Sequence, residues 1–192
     1  MQTVHETVQD TIEIKGSKFI AHLMPIAMYD PMMKKLRDEH PKAVHWVSAY
    51  RYLNEYDQIV EHSSDDGEPK GTSGKPTLSV LQGHDLVNAA IITVRYFGGT
   101  KLGPGGLVRA YADAANTAIE RASLLPYQKL FQHNIECDYS TLSIVEYECT
   151  QKAVRIVSKE FNERGAILGL EGTTDALDGF YAALGRSIKR MD

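Results

Sequence analysis

The sequence predicts an α+β protein of two domains, and three observations carry that prediction. Short runs with alternating apolar residues open the chain. A stretch of Gly, Ser, Asp and Pro interrupts it after Ser63, and strand and helix signals beyond Leu124-Leu125-Pro126 follow the order βαββαβ. That order is the ferredoxin-like pattern. The domains are therefore expected at residues 1–125 and 126–192.

Taken in order, Val4, Val8, Ile12 and Ile14 share one parity and predict a strand before a turn at Gly16; residues 17–26 predict a second. Asp30-Pro31 marks a helix start, since Asp accepts from orphan amides and Pro suits the first helical position. Met33 and Leu36 are its inward side, and His40-Pro41 ends it. Residues 45–53 and 58–62 predict two more strands. Thr72 or Ser73 is expected to cap a helix with Pro76 in its first turn, Leu78 and Leu81 on its buried side and Gly83 at its end. Residues 89–97 lack alternation, so that strand is expected to be covered on both faces. A long helix over 106–122 follows, with Leu107, Tyr111, Ala114, Ala115, Ala118 and Ala122 on one face. In the C-terminal part, strands are expected at 129–137, 153–161, 164–171 and 186–189, and helices at 140–150 and 174–184. Asp138 or Ser140 caps the first of these helices, and Thr173 or Thr174 the second.

Composition narrows the function classes. The chain is 43% hydrophobic and 24% charged with a formal net charge of −4, ordinary for a globular protein and unlike a generally basic nucleic-acid coat. Its two cysteines, Cys137 and Cys149, are too few for a disulfide framework or a four-ligand zinc site and read as structural thiols in a reducing compartment. His5, Glu6 and Asp10 precede any apolar run, which excludes a signal peptide, and the apolar stretch 89–94 falls short of the ~20 residues that span a bilayer. A cytoplasmic protein without a membrane partner is expected.

Charge is uneven. Between Gly67 and Arg109, Lys70, Lys75, Arg95, Lys101 and Arg109 stand against Glu68 and Asp85, a local balance of +3. The same segment holds Gly71, Gly74, Gly98, Gly99, Gly105 and Gly106, which permit tight turns and close approach of backbone to a ligand. Two helix starts open from it, and each presents unpaired N–H groups. The candidate anion or nucleic-acid site therefore comprises these residues with Thr72 and Ser73. Tyr96 and Phe97, flanked by Arg95 and Lys101, are candidates for a base-stacking platform, or else core.

Known nucleotide fingerprints do not fit. Gly74-Lys75 is followed by Pro76, which offers no hydroxyl to Mg²⁺, so a Walker loop is excluded, and Gly99 to Gly106 lacks GxGxxG spacing. Asp65, Asp66 and Glu68 form an acidic loop, readable as a metal or acid–base set but more simply as solvated caps. His45 reads as a satisfied strand histidine; His22, His62, His84 and His133 lack metal-pair spacing; Ser73 and Ser79 carry no nucleophile signature. No catalytic residue, metal or cofactor is expected.

The blocks GSKFIA (residues 16–21), SDDGEPKGTSGKP (64–76) and VRYFGGTKLGPGGLVRAY (94–111) resemble the IMPACT/YigZ family in order and spacing over about residues 1–122. The resemblance implies an N-terminal domain like the second domain of a small-subunit ribosomal protein, the S-five domain-two-like fold. It implies a C-terminal ferredoxin-like domain similar to the last domain of elongation factor G. Eukaryotic relatives modulate translational control, so RNA or the ribosome is the expected partner, with a protein partner in translational control as an alternative. A second alternative is an enzyme or binding protein for a small phosphorylated metabolite, since small-molecule kinases share the N-terminal fold type. Where the family often has a histidine and a cysteine after His45, this chain has Trp46 and Val47, which removes a thiol or metal role for that strand.

Overall fold

A computed structural model describes residues 1–191, the side chain of Arg186 excepted. The chain divides into two compact units that meet in sequence at Tyr127 and Gln128.

The first unit is built on a five-stranded antiparallel sheet. Its strands are β2 (Val8–Ile14), β3 (Ser17–Pro25), β4 (His45–Leu53), β5 (Ile59–Ser64) and β6 (Ala89–Tyr96), ordered β2-β3-β6-β4-β5. Strand β6 is buried along almost its whole length because both faces are covered, as its unbroken apolar run requires. Helix α1 (Tyr29–Glu39) lies on the face of Ile20, Met24, Ile92 and Val94. Helices α2 (Gly74–Gly83) and α3 (Pro104–Glu120) cover the opposite face, over Phe19, Leu23, Val47 and Ile91. On α3, Ala110, Ala114, Ala115 and Ala118 are fully or almost fully buried, and these short side chains let the helix lie close to β2 and β3.

Several expectations are corrected here. The first strand is not continuous: Val4 is buried outside a strand, and a two-residue β1 (Gln2–Thr3) pairs instead with β7 (Leu125–Pro126). Helix α1 begins behind a 3-10 turn at Ile26–Met28, so Asp30 sits inside the first turn and Met28 holds the cap position without a side-chain bond. Helix α3 starts at Pro104, ahead of the expected Gly106, because Pro suits the first turn.

The second unit has the sheet order β11-β8-β10-β9, all antiparallel, from β8 (Phe131–Asp138), β9 (Arg155–Phe161), β10 (Gly165–Gly172) and β11 (Lys189–Met191). With α4 (Tyr139–Gln151) and α5 (Thr174–Leu184) this is the expected ferredoxin-like arrangement. Thr173 caps α5 by accepting from Ala176 N at 3.2 Å. A 3-10 turn at Gly185–Ser187 takes up the start of the last expected strand, which begins only at Lys189. Cys137 and Cys149 are buried in this core as free thiols; burial pushes both up, Cys149 to about 11, which makes them poor nucleophiles.

One core histidine gives the first unit a pH dependence. His22, on the α1 face of β3, is 6% exposed and its Nε2 has no hydrogen-bond partner. Burial, then the nearby His40 and Lys35, lowers it from 6.5 to about 4. Above pH 6.5 the ring is neutral folded or unfolded and contributes nothing. Between 6.5 and 4 the unfolded chain takes the proton first, so stability falls with falling pH, by about 3 kcal/mol in all. Urea unfolding followed by Trp46, the one tryptophan, should show this slope in the parent and lose it in His22→Leu. Equal slopes in the two proteins would contradict a neutral buried ring.

Candidate functional site

The acidic loop is built inward, not outward. The Asp65 carboxylate accepts from Gly71 N at 2.7 Å, Gly74 N at 2.8 Å, Ser73 N at 3.1 Å and Ser73 Oγ at 2.7 Å. Burial alone would raise this carboxyl, but the four donors outweigh it and hold it below its ordinary value. Asp65 thus occupies the N-terminus of α2. Ser73 stands at the cap position but donates its hydroxyl to Asp65 instead of accepting from the helix. Asp66 is equally engaged: its carboxylate accepts from Trp46 N at 2.7 Å and pairs with Arg37 at 2.9 Å. The reading of these two as solvated caps is therefore corrected. Among the described residues no group of three His, Cys, Asp or Glu could hold a metal ion.

Glu68 lies deeper still. Its side chain is 3% exposed, and its Oε1 accepts from Arg95 Nη1 at 2.5 Å and from Tyr111 Oη at 2.7 Å. Burial first, and then this bond to Glu68, pushes the Tyr111 hydroxyl well above its ordinary range, so it keeps its proton and donates it to Glu68. His45 Nδ1 donates to the Asp66 carbonyl at 2.8 Å, which turns Nε2 toward Glu68 Oε2 at 3.6 Å. Arg95 also reaches Ser17 Oγ at 3.5 Å, while its Nε is buried without a hydrogen-bond partner. Ser17 and Tyr111 are the members that the sequence reading missed. A tyrosine on an otherwise apolar helix face was the available signal, because its hydroxyl must find a partner.

The two glycine-rich segments meet at one cavity of about 360 Å³. Glu68 and Pro69 line it from the first; Arg95, Phe97, Leu107 and residues 101–104 line it from the second. The N-terminus of α3 opens there, reached through Gly103 at φ 72°, a conformation that favours glycine. No acidic residue stands in the first turn of α3 and no side chain caps it. The two helix starts therefore differ: α2 carries an internal anion and α3 does not.

Other expected site residues scatter around this cavity. Thr72, Ser73 and Gly74 are buried, with Thr72 Oγ1 donating to the Pro69 carbonyl at 2.6 Å, so they shape the loop. Gly71 and Lys75 border a separate, shallower hollow with Ser79 and Val108. Tyr96 and Phe97 do not form one platform. Tyr96 faces α1, where its hydroxyl meets His40 Nδ1 at 2.8 Å, whereas Phe97 is 50% exposed and lies 5.9 Å from the Arg95 guanidinium. Gly98 packs against the turn at Gly16 and donates its N–H to Ser17 Oγ at 3.1 Å. Lys70, Lys101 and Arg109 are exposed with Gly99 and Gly105, while Gly106 is half-buried. Among the described residues, Lys70, Lys75, Lys101 and Arg109 have no ion-pair partner. Once Arg95 is set against Glu68, these four cations make up the basic character of the segment.

Residues 15–119 match the family model of the Impact N-terminal domain. An IMPACT family member of Haemophilus influenzae is 38% identical over 168 residues, 84% of this chain and 81% of the relative. This chain belongs to the IMPACT family. The YigZ member from Escherichia coli is 34% identical over 152 residues, covering 78% of this chain and 74% of that one. A crystal structure of a hypothetical protein, 28% identical, superposes with a TM-score of 0.70 over 100% of this chain and 97% of its own. Two of the IMPACT blocks of the sequence line the cavity, residues 64–76 with Glu68 and Pro69 and residues 94–111 with its remaining walls, while residues 16–21 supply Ser17, which Arg95 reaches. Among the described residues, no helix is long and apolar enough to cross a membrane.

Proposed function

We propose that this IMPACT-family protein is a translation-associated regulator that binds RNA or the ribosome through the first unit. The observation that carries the reading is the set of exposed cations Lys70, Lys75, Lys101 and Arg109, without an ion-pair partner among the described residues, together with the N-terminus of α3, which holds no internal anion. Phosphate oxygens are the natural complement of such a surface, and the electrostatic attraction survives an overall charge of −4 because it is local. The family resemblance supports translation as the setting.

Lys101→Glu combined with Arg109→Glu changes only exposed side chains and leaves the Glu68–Arg95 pair intact. The double variant is expected to lose co-sedimentation with ribosomes at moderate salt. Its log Kd against log salt should flatten by more than about 1, the weight of two lost phosphate contacts on a single strand. Co-sedimentation equal to the parent at low salt would overturn the reading.

A further inference from the structure

The cavity beside α3 has features that a surface made only for phosphates does not need. Pro69, Leu102, Pro104 and Leu107 give it apolar walls, and Phe97 presents a half-exposed ring at its edge. At its base lies a buried charge pair whose hydrogen-bonding capacity is not used up. Arg95, with a side chain 6% exposed, keeps Nε without a partner. Glu68 Oε2 faces His45 Nε2 at 3.6 Å, beyond hydrogen-bond distance, while Oε1 takes both donors. The pair that lines this apolar recess thus leaves one donor, Arg95 Nε, and one acceptor, Glu68 Oε2, without a hydrogen bond. Lys101 and the open end of α3 stand at the same cavity.

We infer that this cavity receives a single unstacked nucleobase of a single-stranded RNA. A base has a flat apolar face, a polar edge that combines donors with acceptors, and a phosphate one ribose away. Phe97 takes the face, the Glu68–Arg95 pair takes the edge, and Lys101 with the first turn of α3 takes the phosphate. Recognition of unpaired bases by stacking on an aromatic ring and edge hydrogen bonds is the usual route to single-stranded RNA. Duplex RNA, whose bases are stacked and paired, leaves the cavity empty while still meeting the exposed cations. The inference rests on the RNA-binding reading above and adds the strand state and the contact that selects it.

The test compares the full-length parent with Phe97→Ala, a substitution at a half-exposed ring, by fluorescence anisotropy. The probes are a labelled single-stranded RNA of mixed sequence and a duplex of the same length. The parent should prefer the single strand. Phe97→Ala should weaken that binding by on the order of tenfold or more, the weight of one base–aromatic stack, with the salt slope and duplex affinity unchanged. Equal affinity of the parent for both RNAs, or a silent Phe97→Ala, overturns the inference and leaves the RNA-binding reading standing. No binding of either RNA overturns both. Competition by free mononucleotides with an inhibition constant at or below the Kd of the single-stranded RNA would assign the same base chemistry to a free nucleotide and overturn the RNA source.

Discussion

Replacing Glu68 with alanine should lower the unfolding free energy of the first unit by about 3–5 kcal/mol, because it strands a buried guanidinium. Arg95 is 95% buried, and its strong contact is with Glu68 Oε1; the next, to Ser17 Oγ, is at the 3.5 Å limit. Tyr111 loses its acceptor in the same step. A change of this size is a large share of the 5–15 kcal/mol that holds typical domains together, and it should lower Tm by roughly 10 °C. Trp46 is the one tryptophan and lies in this unit, so its fluorescence during urea unfolding reads the effect without interference from the second unit. The double variant Glu68→Met with Arg95→Met removes both charges and should recover more than half of the loss. A Glu68→Ala protein within about 1 kcal/mol of the parent would mean that the pair is not coupled as its geometry states.

Gly98→Ala should be comparably severe for a steric reason. A Cβ at this position would lie 1.9 Å from the Gly16 carbonyl carbon and 2.1 Å from Ser17 N, both backbone atoms that no rotamer change can move. To admit the methyl group, the β2–β3 turn must part from the end of β6, and the bond from Gly98 N to Ser17 Oγ breaks with it. A loss of at least about 3 kcal/mol, the upper end for overpacking, is expected. Soluble protein with the parent's urea midpoint would show that the two turns do not touch in solution. Alanine at Gly99, where no atom lies within 4 Å, tests the positive φ of 85° alone and should cost only about 1 kcal/mol.

What the sequence made legible was mostly local. Strand β4 matches its expected residues because a β-branched and aromatic run is bounded by Pro41 on one side and Asn54 on the other. Helix α5 matches because Thr173 caps it and Gly185 stops it. The β1–β7 ladder was illegible: each strand has two residues, and its partner lies more than 120 residues away. The same limit hid the Glu68 site. A glutamate in a Gly/Pro loop reads as solvated, and only Arg95 and Tyr111, 27 and 43 residues further on, make it buried. The separation of Tyr96 from Phe97 was readable in principle, since neighbours at the end of a strand point to opposite faces.

The small β1–β7 ladder has a consequence of its own. Residues 2–3 and 125–126 are hydrogen-bonded neighbours, and Tyr127 N donates to the Met1 carbonyl at 3.1 Å, so the chain enters and leaves the first unit at one point. Joining those two ends by a short linker would require no rearrangement of the core, which is the condition for a cassette that tolerates circular permutation or grafting into a host loop. Every residue that lines the cavity beside α3 falls between Glu68 and Leu107, so such a cassette carries the cavity whole.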